Sequence, residues 1–171
     1  MSQARIIQII GQPGSGKTTL VAALVRYFTA QGLAVGTLKH SSHGHELDKP
    51  GKDSHVHRTA GASPAAMVTS KMAALYFPAS DLTRPDILIE KYYAHADIVL
   101  IEGWISGPYP KIEIWRQAVG KPPLFKAIPT VKAIATDGAL KEVEQGDLDL
   151  LPLQHVTAIA DYIVENKNSI L

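Results

Sequence analysis

The sequence of 171 residues contains no cysteine. This absence excludes disulfide bonds and thiolate metal sites, although it does not fix the cellular compartment. The net charge is only +1, so the overall electrostatics give no reason to expect binding to nucleic acid or to an anionic membrane. No apolar run reaches the roughly 18 residues of a membrane span, and the apolar stretch near the N-terminus is too short for a signal peptide. We expect a cytoplasmic protein that contacts neither membrane nor nucleic acid.

The composition is that of a folded globular protein. Apolar residues make up 46% and charged residues 19% of the chain, which argues against disorder. The length suits one domain of common size, and no repeat, low-complexity tract or linker divides it. We therefore expect residues 1–171 to form a single domain.

The first forty residues predict a βαβ unit. Residues 5–10 form an apolar, β-branched run typical of a buried strand, and residues 17–31 have the pattern of an amphipathic helix that ends at Gly32. Residues 33–40 predict a second strand, so the two strands should be parallel and joined by a right-handed crossover. The later predicted elements are a polar loop at 41–51, a short helix at 52–61, a hairpin at 64–78, a helix at 83–95, strands at 96–104, 111–116 and 131–138, and a closing helix at 153–166.

A glycine-rich segment, "GQPGSGKTT", lies between the first strand and the first helix and fits the phosphate-loop pattern. Its glycines let successive N–H groups face one point, and the helix that follows adds its positive end. Lys17 supplies a full charge for the β- and γ-phosphates, and Thr18 a hydroxyl for Mg²⁺. A chance match in a glycine-rich turn is the alternative, and the position between strand and helix argues against it. The candidate nucleotide-binding residues of this loop are Gly11, Gln12, Pro13, Gly14, Ser15, Gly16, Lys17, Thr18 and Thr19.

An acidic residue ends the apolar strand "IVLIE". Phosphate-loop enzymes need such a residue on a neighbouring strand to position Mg²⁺, directly or through water. Glu102 is therefore a candidate metal ligand and, with Lys17, a candidate catalytic residue. Asp97 begins the same strand about 16 Å away, and we expect it to serve as a polar end to the preceding helix.

Five of the seven histidines lie between residues 39 and 58, in a segment that leaves the carboxyl end of the second strand, where ligands bind in such sheets. One interpretation is a nucleotide-sensing switch loop in which Asp48 or Asp53 helps to hold Mg²⁺ or its water. Another is a solvated loop with surface histidines. A third is a transition-metal site with the candidate ligands His40, His43 and His45. The basic side chains that could bind a second anionic group, or simply be solvated, are Lys49, Lys52 and Arg58.

The strand at 131–138 ends in "ATDG", which offers a candidate contact for a nucleotide base. A carboxylate such as Asp137 can accept hydrogen bonds from both N1–H and the exocyclic amine of guanine, and adenine offers no such pair. An aspartate that caps a turn before Gly138 is an equally good interpretation.

Several stretches together resemble the molybdopterin-guanine dinucleotide biosynthesis adapter (MobB) family. They are "GxxGSGKTTL", "VGTLKHSSH", "DKPGKDSHVHRTAGA" and "DIVLIEGW". The phosphate loop is common to many families, whereas the histidine and "DKPGKDS" segments are much more specific. The resemblance implies a three-layer phosphate-loop α/β fold with a mostly parallel central sheet and a β-hairpin extension.

The resemblance also implies a function: binding of GTP with Mg²⁺, slow hydrolysis at most, a homodimer, and work beside the guanylyltransferase that joins GMP to molybdopterin. Molybdopterin or its guanine dinucleotide would be a further ligand. The strands "AALYF" and "KIEIWR" are candidates for pairing between subunits. By the resemblance, the segment after the second strand contributes Lys39, His40, His43, Asp48, Lys52, Asp53, Ser54 and Arg58, with Asp53 as a third catalytic candidate and Asp48 as a metal ligand, and the "KIEIWR" strand contributes Lys111 and Arg116.

Two departures from related patterns shape the expectation. The second loop position is Gln12, where relatives that work as nucleotide-sandwich dimers carry lysine, so we do not expect activation across a dimer by that residue. The guanine motif Asn-Lys-x-Asp is absent. Two alternatives remain open: a small-molecule kinase, for which the five scattered arginines provide no lid, and a metallochaperone-like GTPase that carries a divalent ion in its histidine loop.

Overall fold

The computed structural model describes residues 4–41, 44, 46–79, 84–138 and 148–165. Eight strands and four α-helices are found among them. The strands are β1 (Arg5–Gly11), β2 (Val35–Lys39), β3 (Ala65–Val68), β4 (Ala73–Tyr76), β5 (Ile98–Glu102), β6 (Lys111–Trp115), β7 (Val131–Thr136) and β8 (Asp149–Pro152). The helices are α1 (Lys17–Ala30), α2 (Asp53–Thr59), α3 (Pro85–Tyr92) and α4 (Val156–Glu165), with short 3₁₀ turns at Gln117–Val119 and Phe125–Ala127.

Six strands form one sheet in the order β2-β5-β1-β6-β7-β8, and every neighbouring pair is parallel. Strands β1 and β5 are buried along almost their whole length, which explains their unbroken apolar runs. The predicted fold class is confirmed: a parallel α/β sheet with a small antiparallel hairpin extension, β3–β4.

Helices α1 and α4 pack on one face of this sheet. Leu24 and Phe28 of α1 and Ile159 of α4 are fully buried there, against alternate residues of β1 and β6 such as Ile9 and Ile112. Because all six strands are parallel, their carboxyl ends meet at one edge of the sheet, and α1 begins at this edge.

The chain divides into two compact units. One comprises Met1–His40 with Lys91–Leu171 and contains the six-stranded sheet, and the other comprises Ser41–Glu90 and contains α2 and the hairpin. The expectation of one nucleotide-binding domain over residues 1–171 stays a prediction.

Sequence patterns missed one strand and misjudged several ends. Strand β8 is a short edge strand that ends in Pro152, a residue that lowers strand propensity but is tolerated at an edge. Helix α4 begins at Val156 rather than 153, because residues 153–154 form a turn after β8 ends at Pro152. Helix α3 begins at Pro85, which suits a first helical position, and ends at Tyr92 rather than 95. The predicted start of the 83–95 helix and the predicted end of the 153–166 helix lie outside the described residues.

No helix among the described residues has both the length and the apolar character to cross a membrane.

Candidate functional site

The phosphate loop connects β1 to α1 at the carboxyl edge of the sheet. Gly14 and Gly16 have φ angles of +79° and +95°, which other residues rarely adopt. Gly11 is required for a second reason: a Cβ atom there would lie 2.5 Å from the carbonyl oxygen of Ile114 on the neighbouring strand. The hydroxyl of Ser15 is buried and has no hydrogen-bond partner among the described residues. The backbone thus fixes the shape of the loop, and the Ser15 hydroxyl remains a donor without an acceptor among the described residues.

Lys17 begins α1 and turns back over the loop. Its ammonium group donates to the carbonyl oxygens of Gly11 at 2.9 Å and Gln12 at 3.0 Å. Burial lowers the pKa of Lys17, the negative charge of Glu102 acts against that shift, and the positive charge of Lys39 adds to it. A phosphate group would offer this ammonium a far stronger partner than two carbonyl oxygens.

Glu102 is the last residue of β5 and lies at the same edge of the sheet. Strand β5 lies between β1 and β2, and the register places Lys39 directly beside Glu102. One carboxylate oxygen, Oε1, accepts from the Thr18 hydroxyl at 2.8 Å and forms an ion pair with the Lys39 ammonium at 3.1 Å. We refer to Lys17, Thr18, Lys39 and Glu102 as the phosphate-loop edge.

The donor atoms at this edge suit a hard cation. A threonine hydroxyl and a glutamate carboxylate are oxygen ligands of the kind that Mg²⁺ takes together with nucleotide phosphates. The structure therefore brings together Lys17, Thr18 and Glu102, three of the residues that the sequence singled out for phosphate and metal.

His40 follows β2 and stacks on Trp104, with ring centroids 4.6 Å apart and an angle of 24° between the rings. Its backbone N–H donates to the carbonyl oxygen of Glu102 at 2.9 Å. In the part of the chain that the structure describes, no three histidine, aspartate or glutamate side chains are grouped as a metal site requires. His43 and His45 lie outside that part, so the transition-metal hypothesis is not tested.

A cavity of about 310 Å³ lies beside the phosphate loop. Asp137 and Arg116 form part of its lining and are paired, with Arg116 Nε donating to Asp137 Oδ2 at 2.6 Å. Ser15, Gly16 and Thr19 of the loop region contribute another part. A volume of this size is at the small end of the range for ligand pockets, and the cavity joins the candidate base contact to the phosphate loop.

The remaining predicted residues belong to the second unit, Ser41–Glu90. Asp48 is buried: its Oδ1 accepts from the Ser54 hydroxyl at 3.1 Å, and its Oδ2 has no partner among the described residues. Arg58 forms an ion pair with Glu46 and lies 5.9 Å from the centre of the Tyr76 ring.

An open groove of about 670 Å³ crosses this unit. Its polar lining combines cationic and acidic groups, and one wall is the β3–β4 hairpin. The predicted residues that line it are Asp48, Lys49, Lys52, Asp53 and Ser54.

A row of buried polar side chains lies on the sheet face opposite α1 and α4. The family resemblance names one of its members, Lys111, but the sequence patterns do not predict that the row is buried. Gln8, Lys111 and Glu113 are all fully buried, and we call them the buried row. Lys111 Nζ donates to the carbonyl oxygens of Gly107 at 2.7 Å and Tyr109 at 2.9 Å. It also donates to the hydroxyl of Thr130 at 2.8 Å. Burial lowers the pKa of Lys111 to about 8.

Glu113 and Gln8 each hold a crossing segment against the sheet. The Glu113 carboxylate accepts from the backbone N–H groups of Leu124 at 2.6 Å and Phe125 at 2.8 Å. Burial raises the pKa of Glu113, and these two hydrogen bonds act against that shift. Gln8 Nε2 donates to the carbonyl oxygen of Trp104 at 2.8 Å. The row thereby fixes Trp104, the stacking partner of His40.

Two expectations about these strands were wrong. The alternating "KIEIWR" segment predicts a half-buried strand available for pairing with another subunit, but β6 lies between β1 and β7 and is buried from Lys111 to Ile114. Asp97 does not end a helix: its Oδ2 accepts from the backbone N–H of Ala34 at 2.8 Å, at the start of the adjacent strand. Lys111 and Glu113 are spaced two apart in an otherwise apolar run, a pattern that by itself does not reveal their burial.

The fold and the phosphate-loop edge define a phosphate-loop protein of the parallel α/β class. A family model described as "Molybdopterin guanine dinucleotide synthesis protein B" matches residues 6–137, and the chain belongs to this MobB family. It is 34% identical over 163 residues to the molybdopterin-guanine dinucleotide biosynthesis adapter protein of Haemophilus influenzae, covering 95% of this chain and 89% of that protein. The adapter protein of Escherichia coli is 33% identical over 156 residues, covering 89% and 87%.

The structure agrees with a solved relative as well. The crystal structure of Bacillus subtilis MobB superimposes with a TM-score of 0.72 at 28% sequence identity, covering 98% of both chains. The resemblance proposed from the sequence motifs is thus confirmed at the level of the family.

Proposed function

We propose that this protein is an adapter in the synthesis of molybdopterin guanine dinucleotide, which binds GTP with Mg²⁺ and hydrolyses it slowly at most. The observation that carries the proposal is the contact between Thr18 and Glu102, 2.8 Å apart at the mouth of the phosphate loop. It joins a loop built for phosphate to an acidic strand end, and a nucleotide with its metal needs both. Names given to the relatives support the adapter role.

The residues would divide the work as follows. Lys17 would leave its two carbonyl partners for the β- and γ-phosphates, and the loop N–H groups with the start of α1 would bind the same oxygens. Thr18 and Glu102 would hold Mg²⁺, which neutralises charge between the phosphates when it is bound. Since the Glu102 carboxylate at this edge is already engaged by Thr18 and Lys39, we expect slow turnover.

Guanine selectivity would come from Asp137 in the cavity beside the loop. Its Oδ2 already accepts from Arg116, but each carboxylate oxygen has two lone pairs and can accept a second hydrogen bond. The carboxylate could therefore hold N1–H and the exocyclic amine of guanine while Arg116 holds it in place. Adenine would meet the same carboxylate with an acceptor at N1.

The groove of the second unit is our candidate for a second anionic ligand, such as a pterin phosphate. Lys49 and Lys52 supply positive charge along it, and Tyr76 supplies an aromatic wall. Arg58 is held by Glu46, so it is the less available of the predicted basic residues.

We also propose that the β3–β4 hairpin contributes to a homodimer. A two-stranded sheet is marginal by itself in water, and this one exposes apolar side chains: Val68 is 76% and Met72 72% exposed. Val68→Glu should convert a dimer to a monomer in sedimentation experiments, whereas a dimer that survives this change would exclude the hairpin as the interface.

Equilibrium binding tests the proposal. GTP should bind more tightly than ATP in the presence of Mg²⁺, and Asp137→Asn should reduce that preference. A pull-down with the guanylyltransferase, with and without GTP, should recover a complex, and the amount recovered should differ between the two conditions. Equal affinity for the two nucleotides would contradict the guanine assignment. Rapid loss of the γ-phosphate that depends on a small acceptor molecule would instead favour a kinase.

A further inference from the structure

Lys39 is the last residue of β2, and the parallel register sets it directly beside Glu102. Its ammonium lies 3.1 Å from Glu102 Oε1, the same oxygen that accepts from the Thr18 hydroxyl. The two side chains differ sharply in exposure, since 64% of the Lys39 side chain is accessible against 9% for Glu102. A largely exposed cation therefore approaches a nearly buried carboxylate from the solvent side.

The physical need for such a cation is clear. An ionised carboxylate that has lost most of its water requires a compensating charge. Lys17 lies close enough to influence Glu102 electrostatically, but its own hydrogen bonds go to loop carbonyl oxygens. Among the described residues, Lys39 makes the ion pair with Glu102.

We propose that Lys39 is the exchangeable counter-ion of Glu102: it holds the carboxylate while the site is empty and withdraws when Mg²⁺ enters with the nucleotide. This inference rests on the proposed function. A divalent cation and an ammonium cannot both be close partners of one carboxylate oxygen without strong mutual repulsion. Lysine suits the exchangeable role because its charge sits on a flexible four-carbon stem.

The exchange would occur close to the point where the chain passes into the second unit. The second unit begins at Ser41, two residues after Lys39, and the residue between them, His40, is bonded through its N–H to the backbone of Glu102. Metal loading would thus change the charge and the side-chain position at the residue that leads into the histidine-rich segment. This is a different role from a permanent phosphate ligand, which the family resemblance alone would suggest for Lys39.

Lys39→Gln separates the two roles. The control is Lys132→Gln, which removes the same charge from an exposed position on β7. Binding of a fluorescent GTP analogue to the intact protein is measured as Mg²⁺ is varied, with thermal unfolding to verify the fold. For Lys39→Gln we expect the half-saturating Mg²⁺ concentration to fall about threefold to fivefold, the size of an ion pair with one exposed partner. Without Mg²⁺ the variant should bind the analogue more weakly, and at saturating Mg²⁺ it should match the unmodified protein.

Two results would overturn the inference while leaving the proposed function intact. One is an unchanged Mg²⁺ dependence in Lys39→Gln. The other is an equal loss of affinity with and without Mg²⁺, which would make Lys39 a phosphate ligand. If the unmodified protein fails to bind the GTP analogue at any Mg²⁺ concentration, the proposed function itself fails and the inference falls with it.

Discussion

The phosphate-loop edge and the buried row are two groups of polar side chains on one sheet, and they are partnered in opposite ways. At the edge, charged groups face one another: Glu102 forms an ion pair with Lys39 and also accepts from the Thr18 hydroxyl. In the buried row, charged groups face neutral atoms: Lys111 has two carbonyl oxygens and a hydroxyl, and Glu113 has two backbone N–H groups.

This difference suggests a way to separate binding residues from structural ones. The partners in the row are main-chain atoms and the partly buried hydroxyl of Thr130, which a ligand cannot replace without opening the fold. The partners at the edge are a lysine that reaches in from solvent and a hydroxyl on the loop, which a metal or phosphate can replace. Substitutions at the edge should therefore change affinity, and substitutions in the row should change stability.

Lys17→Ala should produce the largest effect. Removing the ammonium deletes charge-assisted hydrogen bonds to phosphate, so we expect GTP affinity to fall by at least about 100-fold, or roughly 3 kcal/mol. Only two hydrogen bonds to partly buried loop carbonyl oxygens are lost from the free protein, so the free energy of unfolding should change much less than the affinity. Isothermal titration and thermal unfolding measure the two quantities. If Lys17→Ala loses stability but keeps its affinity for GTP, Lys17 is a structural residue and the distinction between the phosphate-loop edge and the buried row fails.

Glu113→Leu should show the reverse pattern. The backbone N–H groups of Leu124 and Phe125, which are partly buried, would lose their acceptors, at a cost of at most about 1–3 kcal/mol for each group. Because the raised pKa of Glu113 shows that burial disfavours its charge, part of this cost is recovered, and we expect a net loss of about 2–3 kcal/mol in the free energy of unfolding.

The matched control is Glu113→Gln, which keeps one acceptor oxygen and should lose about half as much stability. Urea unfolding gives both values, and GTP affinity should show no loss comparable with that of Lys17→Ala. If Glu113→Leu is as stable as the unmodified protein, its two short contacts do not hold the segment at 124–125.

Lys111→Met should have a smaller effect that depends on pH. At pH 7 the three acceptors lose their donor, but removing a buried charge offsets part of the cost, so we expect a loss of about 1–2 kcal/mol. In the folded protein the pKa of Lys111 is about 8, against its usual value of 10.5. Between these values the unfolded chain binds more protons, so raising the pH stabilises the folded state.

The unmodified protein should therefore gain stability, relative to Lys111→Met, by at most about 1.4 kcal/mol for each pH unit in that window. Urea unfolding at pH 7, 8, 9 and 10 measures the difference. A difference that stays constant across this series would show that Lys111 keeps its proton in the folded protein to high pH.

The comparison also explains what could be predicted from the sequence. Phosphate-loop residues and Glu102 could be found because their chemistry imposes a spacing: glycines at fixed positions, then lysine and threonine, then an acid at a strand end. The contact between Thr18 and Glu102 follows from the rule that parallel strands end at one edge. The predicted roles of these residues in binding stay predictions.

The buried row could not be predicted, because a lysine and a glutamate two apart in a strand normally indicate an exposed face. What reverses this meaning is the interior position of β6 between β1 and β7, which depends on strand order. Strand β8 was missed for a related reason, since a short edge strand that ends in proline has little pattern of its own.

Gln12 links the two regions and should give the smallest effect. It belongs to the phosphate loop, yet its Nε2 donates at 3.3 Å to the carbonyl oxygen of Pro122, close to the segment that Glu113 holds. This hydrogen bond is long and exposed, so Gln12→Ala should change the free energy of unfolding by less than about 0.5 kcal/mol. Because a neutral amide brings no charge to the γ-phosphate, hydrolysis should remain as slow as in the unmodified protein, measured as phosphate release in a single turnover. A tenfold or larger change in that rate would mean that the segment supported by the buried row acts on the nucleotide through Gln12, and that the two regions are coupled.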